Sequence, residues 1–359
     1  MNVTYIIGNG FDLNLDLKTS YQDFYEYYRY RPSPNDDIKK LKDEIQNNVN
    51  QWSDLEYSIG QYTRMLPGSE REKMIEIILD LAKNLKNYLI DLTKSISIEE
   101  GRGFTPLSDD LENPDKYLTP VERNRLIEFY NSFNTSSSHI SIITLNYTLF
   151  IEKLLGFQTG TLLDLPTSAF NGRKAFVGKI LHLHENLEHN IIVGVNDESQ
   201  IANEAFRADP TLREFLIKPV TNQMFGTGVD YECEYIIDNT NLFILFGVSL
   251  GDTDKKWWEK IANRLQQDEA RMIIFHYDKD FRGGYFMGNE KRSIQKKFLD
   301  KTSLDEDWRK ILQDRIFIAP NTDMFKEVRQ FMIKEEKHLT TINNPGLKVV
   351  IKPIKRQKG

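Results

Sequence analysis

The chain has 359 residues with a net charge of −6 and 40% hydrophobic residues, enough for two average domains or for one large domain with an insertion. We expect no membrane anchor and no secretory signal, because no apolar run approaches the roughly 20 residues that span a bilayer and the first residues lack a basic segment. The negative charge argues against a protein that coats nucleic acid. A single cysteine, Cys233, excludes an intrachain disulfide framework and a Cys-rich zinc site, and indicates the cytoplasm.

Nearly continuous apolar runs alternate with helical patterns along much of the chain. Strands are predicted over 3–8, 139–148, 175–184, 191–195, 242–250, 272–277 and 315–320. Helices are predicted from Ser20 onward and over 147–155, 254–266 and 323–336. Continuous apolar strands are typical of sheets covered on both faces, and alternation with helices favours parallel pairing. The sequence therefore predicts an α/β fold with a mostly parallel, Rossmann-like sheet and helices on both faces.

Residues 33–135 lack strand signals and read as an all-helical insertion. One apolar stripe at helical spacing comprises Met74, Ile77, Ile78, Leu81, Leu85, Leu89 and Leu92. The polar stretch 99–115, with its glycines and prolines, is predicted to be a loop. Residues 1–32 and 136–340 are assigned to one discontinuous Rossmann-like core, and 341–359 to a basic tail whose simplest interpretation is a solvated terminus.

The first predicted strand runs directly into Gly8-Asn9-Gly10. A tight turn needs residues that accept positive φ, and a phosphate approaches backbone N–H groups only where no Cβ intervenes. The three-glycine fingerprint of dinucleotide sites is incomplete, because Leu13 stands at the third glycine position. Asp12 would repel a phosphate, yet it suits a ribose hydroxyl, a cation or a helix N-cap. A nucleotide site and an ordinary turn both fit this pattern.

Polar side chains also follow two later predicted strands. Asn146 ends the strand in "ITLNYT", and open α/β sheets place ligands at the carboxyl ends of parallel strands. Its amide either caps the next helix or orients a ribose hydroxyl or a water. His182 and His184 are two apart and share one face of a strand. Because no third ligand set is evident, we expect no metal; a general base or an ordinary hydrogen-bonded pair are the remaining interpretations.

The run "FGVSLGDTDKKWW" brings small and polar residues to a fourth strand end. Gly247 and Ser249 suit an adenosine ribose or a phosphate, and Asp252 lies in the same loop. Asp254 precedes a predicted helix and is a candidate N-cap. Four such strand ends predict one crevice at a single edge of the sheet, with glycines that clear space for a ligand.

Together these segments resemble the bacterial abortive-infection AbiH family of phage-defence proteins. The resemblance rests on "GNGFDLNLDLKTSYQDF", "WSDLE" (52–56), "TLNYT" (144–148), the stretch from the histidines to "IIVGVND" (182–197) and "GVSLGDTD" (247–254). It extends from residue 5 to about residue 258. Membership would imply a role in abortive infection, in which the infected host stops growing before phage is released.

The family pattern is also similar to a diverged sirtuin-like NAD-binding fold, with a glycine turn, a leucine-threonine segment, a strand-end asparagine and a histidine. This similarity implies catalytic roles for Asn146, His184 and Asp12, and NAD binding by Gly8, Asn9, Gly10, Thr19, Gly247, Ser249 and Asp252. Asn146 would hold water or ribose, and His184 would be the general base or a ribose partner. Two departures are Asp12, in place of a small or hydroxyl residue, and Glu185, in place of the glycine that usually follows the histidine.

Three functional hypotheses follow. The first is an enzyme that hydrolyses the N-glycosidic bond of NAD or a related nucleotide without a metal. The second is a non-catalytic nucleotide-binding sensor or interaction protein, with Trp52 and Glu56 of the insertion at its partner surface. The third, weaker hypothesis is a metal-dependent nuclease that uses Asp12, Glu56, Asp252 and Asp254. A nucleotide is the expected partner, a phage-derived trigger and self-association stay open, and neither a membrane nor a nucleic acid is expected.

Overall fold

The computed structural model describes residues 1–98, 100–169 and 172–334. The predicted basic tail and the last predicted core residues, 335–340, lie outside these ranges. The strands, numbered in chain order, are β1 Asn2–Ile7, β2 Ile96–Ile98, β3 Ser137–Thr144, β4 Leu163–Ala169, β5 Arg173–His182, β6 Leu242–Phe246, β7 Arg271–His276, β8 Ile316–Pro320 and β9 Met332–Lys334.

The main sheet has seven strands in the order β4-β5-β3-β1-β6-β7-β8. All neighbouring pairs are parallel except β4 and β5, which are antiparallel. The mostly parallel sheet expected from the apolar runs is therefore confirmed. The sequence does not predict β4, an edge strand whose Pro166 interrupts the usual strand composition. The short strands β2 and β9 form a separate antiparallel pair.

Helices cover both faces of this sheet, as predicted. In chain order the α-helices are α1 Gly10–Asn14, α2 Tyr21–Tyr28, α3 Asp36–Asn47, α4 Leu55–Tyr62, α5 Arg71–Lys94, α6 Phe104–Glu112, α7 Pro120–Asn131, α8 Phe150–Leu155, α9 Glu204–Ala208, α10 Pro210–Leu216, α11 Lys218–Phe225, α12 Val229–Asp238, α13 Lys255–Leu265, α14 Met287–Leu299 and α15 Glu306–Gln313. Alternate strand residues point to opposite faces. On β1, Tyr5 packs with α6, α7 and α8, whereas Ile6 packs with α12 to α15.

The helices within 33–135 do not all pack in the same place. Helices α3, α4 and α5 share a buried cluster with α2, α9 and α10, which we call the helical body. Helices α6 and α7 instead pack directly on the sheet. The predicted apolar stripe of α5 is confirmed: six of its residues are buried in the helical body, and Leu92 is partly buried. None of the helices in the described ranges is long and apolar enough to cross a bilayer.

The insertion 33–135 is not all-helical as predicted, because β2 lies within it and pairs with β9. Three local predictions are also wrong, and each has a packing explanation. The predicted loop 99–115 contains α6, which buries Leu107 and Leu111 one helical turn apart. The predicted strand 191–195 is an irregular segment that is apolar because it packs on the helical body. The predicted helix 323–336 is instead a 3₁₀ turn at Glu327–Phe331 followed by β9, in the part of the chain that is described.

The glycine turn after β1 packs against the turn after β6. The Gly8 and Gly10 N–H groups donate to the carbonyls of Phe246, at 3.0 Å, and Gly247, at 2.9 Å. A Cβ on Gly8 would lie 2.6 Å from Gly247 O, and a Cβ on Gly10 would overlap Gly247 Cα. Gly247 itself has φ +66°, which favours glycine. These glycines therefore let two backbone turns touch, and their amides are engaged by carbonyls.

This contact predicts that Gly10→Ala destabilises the protein by roughly 1–3 kcal/mol, because the added methyl group meets backbone that cannot turn aside. Urea unfolding followed by circular dichroism measures the loss. The matched control is Gly288→Ala in α14, where the new Cβ meets a flexible arginine side chain at 3.4 Å. The control should keep wild-type stability or gain up to about 1 kcal/mol, because alanine favours a helix more than glycine does. Equal midpoints for the two variants would contradict the packing role of Gly10.

Candidate functional site

Four polar side chains lie beyond the carboxyl ends of four parallel strands. Asp12 follows β1, Asn146 follows β3, His184 follows β5 and Asp254 follows β6. Their residues are 1%, 4%, 4% and 7% exposed, so the polar groups are enclosed. They divide into two clusters on either side of the segment 144–148, which contributes alternate side chains to each.

The first, which we call the Asp12 cluster, comprises Asp12, Asn146 and Thr148. Asp12 Oδ1 accepts a hydrogen bond from Asn146 Nδ2 at 3.1 Å, and Asp12 Oδ2 accepts one from the Thr148 hydroxyl at 2.7 Å. Asn146 Oδ1 is buried without a partner among the described residues. Asn146 does not cap the next helix, since the N-cap position of α8 is Leu149. The amide therefore faces the carboxyl group and offers one free acceptor.

Burial raises the pKa of Asp12 to about 7, although hydrogen bonds from Thr148 and Asn146 oppose the shift. A carboxyl group with a pKa near neutrality exchanges a proton readily at physiological pH, as general acids and bases do. A neutral carboxyl group would also repel a phosphate less than a carboxylate does. The Asp12 cluster is thus chemically unusual for a purely structural hydrogen-bonded group.

His182 lies next to this cluster and contacts the backbone of Asn146 and the side chain of Glu152. Its Nδ1 lies 2.8 Å from the Asn146 carbonyl, and its Nε2 lies 2.6 Å from Glu152 Oε1. Burial disfavours the charged ring, but Glu152 outweighs that effect and the pKa of His182 is raised. A protonated ring donates to both partners and fixes the turn that carries Asn146. His182 and His184 have different partners, so the expected histidine pair does not form one site.

The second, which we call the Lys218 cluster, comprises Glu56, Tyr147, His184, Lys218 and Asp254. The Lys218 ammonium group lies 2.7 Å from Glu56 Oε2 and 2.8 Å from Asp254 Oδ1. His184 Nε2 donates to Asp254 Oδ1 at 3.1 Å, which leaves the lone pair of a neutral ring on Nδ1. The Tyr147 hydroxyl lies 3.2 Å from Glu56 Oε1.

The charges in this cluster stabilise one another. Burial would raise the pKa of Asp254, but Lys218 and His184 hold that pKa well below its usual range. Burial also disfavours the Lys218 ammonium group, yet the carboxylates of Asp254 and Glu56 raise its pKa. Asp254 occupies the N-cap position of α13 without capping it through its side chain. Its carboxylate binds Lys218 and His184 instead, which corrects the N-cap interpretation.

Glu56, His184 and Asp254 form the one group in the described ranges whose spacing suits a metal ion, with ligand atoms within 4.8 Å of one another. The Lys218 ammonium group bonds both carboxylates, so it already supplies the positive charge that a metal would bring. Of the four carboxylates of the nuclease hypothesis, Glu56 and Asp254 converge here, whereas Asp252 and Asp12 do not. Asp252 is exposed and pairs with Lys301 at 2.8 Å, and Asp12 belongs to the other cluster.

Most of the residues predicted to bind NAD contact one another instead of an open space. Asn9 and Thr19 bond each other, since the Thr19 hydroxyl donates to Asn9 Oδ1 at 2.7 Å and Asn9 Nδ2 donates to Thr19 O at 2.9 Å. Ser249 is exposed. With the engaged amides of Gly8 and Gly10, these contacts describe a tightly closed loop region. NAD binding by this set stays a prediction.

A family model for bacteriophage abortive infection AbiH matches residues 4–276 of the chain. This match covers well over half of the sequence. The chain belongs to the AbiH family. A search of curated proteins found no match. The AbiH match contains every residue of the Asp12 and Lys218 clusters and ends at His276, the last residue of β7, before β8 begins.

Three residues of this AbiH site, Lys218, Thr148 and Tyr147, are not singled out by the sequence. Lys218 lies in "LIKPV", which contains no recognisable motif. The residue that it bonds, Glu56, is 162 positions away in the sequence. Thr148 lies inside "TLNYT", but its contact with Asp12 spans 136 residues. The alternation of side chains in "TLNYT" is the one local indication that this segment contributes to two different polar clusters.

The raised pKa of Asp12 predicts a pH-dependent stability difference between the wild type and Asp12→Asn. Because the folded pKa of about 7 exceeds the ordinary value of 3.8, Asp12 contributes most below pH 3.8 and loses its contribution as pH rises through 7. The wild type should therefore lose stability relative to Asp12→Asn, by up to about 1.4 kcal/mol per pH unit in that window. Urea unfolding at pH 5 and pH 8 measures this difference.

The control for this comparison is Asp252→Asn, which changes an exposed aspartate. Its stability difference from the wild type should stay nearly constant between the two pH values. Parallel behaviour of Asp12→Asn and Asp252→Asn would rule out a raised pKa at Asp12.

The contact between His182 and Glu152 predicts that Glu152→Gln lowers the pKa of His182, because the carboxylate that favours the charged ring is removed. Nitrogen-15 NMR of labelled histidines across a pH titration measures the change. The signals of the exposed His139, which stacks on Phe176, serve as the control and should be the same in both proteins. An unchanged His182 titration would show that Glu152 does not govern its protonation.

Proposed function

We propose that this AbiH protein acts in phage abortive infection by hydrolysing the N-glycosidic bond of NAD or a related nucleotide. Family membership supports the role in phage defence. Family membership does not specify the reaction. The proposed reaction rests on the arrangement of side chains at the carboxyl edge of the sheet. In this proposal His184 is the general base, and Asp12 and Asn146 act on the ribose.

The strand order supports a Rossmann-like ligand site. With the antiparallel edge strand β4 and the separate strand β2 set aside, the remaining strands of the main sheet run β5-β3-β1-β6-β7-β8. Renumbered along the chain, this order is 3-2-1-4-5-6, the order of doubly wound dinucleotide-binding folds. In such sheets ligands bind beyond the carboxyl ends of the strands, where the strand order reverses. Here that point lies between β1 and β6.

The observation that carries the proposal is the buried pair of His184 and Asp254 at this edge. A histidine oriented by a carboxylate is the usual arrangement for a general base, since the carboxylate fixes the ring tautomer and stabilises the protonated ring. Asn146 and Asp12 belong to the same edge through the neighbouring strands. Asn146 reaches it from the turn that also places Tyr147 beside Glu56, and Asp12 reaches it from α1.

The proposed reaction balances without a metal or a redox partner. The C1′–N bond of the nucleotide breaks and its electron pair leaves with the base, which departs neutral when the base is a pyridinium ring. Water adds to C1′, and its proton passes to His184 Nδ1. Positive charge develops on the ribose in such transition states, and the Asp12 carboxylate would stabilise it.

A second candidate is a nucleotide sensor without turnover. The burial of His184 favours it, because a nucleotide that binds at the edge of the sheet would not reach the proposed general base in this structure. In that case changes on the surface of the helical body should disturb defence more than changes at His184 do.

The test is mass spectrometry of NAD incubated with purified protein, with Asn146→Ala and His184→Ala as matched variants. The wild type should release nicotinamide and ADP-ribose, and each variant should lose about 100-fold or more of that activity, the usual contribution of a general base. A chelator should leave the activity unchanged. NAD that is retained intact would favour the sensor, and NAD that neither binds nor reacts would overturn the proposal.

A further inference from the structure

We propose that α11 is a lid over His184 and that Lys218 is the latch that holds it shut. The lid deepens the proposed function by giving it a form of regulation, and it rests on that function in taking His184 as the reactive group. The structure is then the closed state, and access to His184 requires the N-terminal end of α11 to move.

The first observation is the lack of space at His184. The cleft beside it has a volume of about 10 Å³ and is lined by Lys218, Pro219 and Asn222 of α11. That volume suits about one water, whereas small-molecule sites occupy about 300–1,000 Å³. Lys218 and His184 are each 4% exposed. A nucleotide therefore cannot contact His184 unless the lining moves, and α11 supplies three of the lining residues.

The second observation is that Lys218 connects three parts of the fold. It is the first residue of α11, and its ammonium group bonds Glu56 of α4 in the helical body and Asp254 beyond β6 of the sheet. Its backbone N–H also donates to Val195 O at 2.9 Å. When Lys218 leaves, two buried carboxylates lose their common cation. Their charges are therefore compensated only while α11 is closed.

The third observation is a pair of glycines with positive φ at the opposite end of α11. Gly226 and Gly228 have φ of +66° and +67°, and a Cβ on either would meet nothing within 4 Å. Glycine is therefore required at these two positions by the positive φ and not by close packing. Glycine at such positions lets the chain change direction at low cost, as hinges require. The latch lies at one end of α11 and the hinge at the other.

The fourth observation points to a ligand beneath the lid. Asn222 lies one turn after Lys218 on the inner face of α11, is 4% exposed and lines the same cleft. Its Nδ2 donates to Asp230 at 2.6 Å, but its Oδ1 has no partner within the described part of the chain. Buried acceptors are normally satisfied. An opened lid would present this oxygen, with His184, to a ligand that donates an N–H or O–H.

Chemical labelling tests the lid without any need for turnover. Diethyl pyrocarbonate modifies accessible imidazoles, and fragment-ion (tandem) mass spectrometry of the peptide 180–207 distinguishes His182, His184 and His189. In the full-length wild type, His184 should be protected and the exposed His189 should react fast. In Lys218→Met, His184 should react about tenfold faster because the latch is gone, while His182, buried in the other cluster, keeps its wild-type protection.

The labelling of His182 separates lid opening from unfolding. If Lys218→Met exposes His182 and His184 together, the variant unfolds globally, and Glu56→Gln becomes the deciding variant because it keeps the contact between Lys218 and Asp254. Glu56→Gln should increase His184 labelling by a smaller factor, again without His182. Wild-type protection of His184 in Glu56→Gln, or in a folded Lys218→Met, would overturn the latch.

The two proposals fail separately. If His184 becomes accessible in Lys218→Met but the wild type neither binds nor cleaves a nucleotide, the lid stands and the hydrolase proposal falls. If the wild type cleaves NAD while His184 stays protected in both latch variants, the hydrolase proposal stands and the lid falls.

Discussion

The arrangement at the carboxyl edge of the sheet depends on one buried ammonium group. Lys218 lies between Glu56 and Asp254, and all three side chains are at most 10% exposed. Two buried carboxylates this close would repel each other strongly without a shared cation, because water cannot screen them. The helical body, the sheet and α11 each contribute one of these charges. Their relative positions are therefore fixed by the requirement that buried charges be compensated.

The turn after β3 connects this ion network to the Asp12 cluster. Asn146 and Thr148 contact Asp12, whereas Tyr147 between them contacts Glu56. The segment 144–148 thus contributes side chains to two chemically different clusters. His182 holds the turn from the last position of β5 through the Asn146 carbonyl. A displacement of this turn would change both clusters at once, so the rigidity of the parallel strands β3 and β5 is a precondition for either.

The two clusters shift the pKa values of their aspartates in opposite directions. Burial raises the pKa of Asp12 to about 7 against the opposing hydrogen bonds from Thr148 and Asn146, whereas Lys218 and His184 outweigh the same burial at Asp254 and lower its pKa. Environments that separate the pKa values of neighbouring carboxyl groups are a general means of assigning acid and base roles. If α11 opens, Asp254 loses Lys218 but keeps His184. The proposed lid would therefore change the electrostatics of the site together with its access.

The sequence by itself determined the α/β class, the helices on both faces, the apolar stripe of α5 and the AbiH family, because periodicity and contiguous motifs are local properties of a chain. It also placed Asp12, Asn146 and His184 at strand ends. Only the tertiary structure decided that the glycine turn packs on Gly247 and that Asp254 binds Lys218 instead of capping α13. It likewise decided that 191–195 packs on helices instead of forming a strand. Each of these depends on partners tens to hundreds of residues away, and the local pattern of a chain does not encode which distant backbone or charge it will meet.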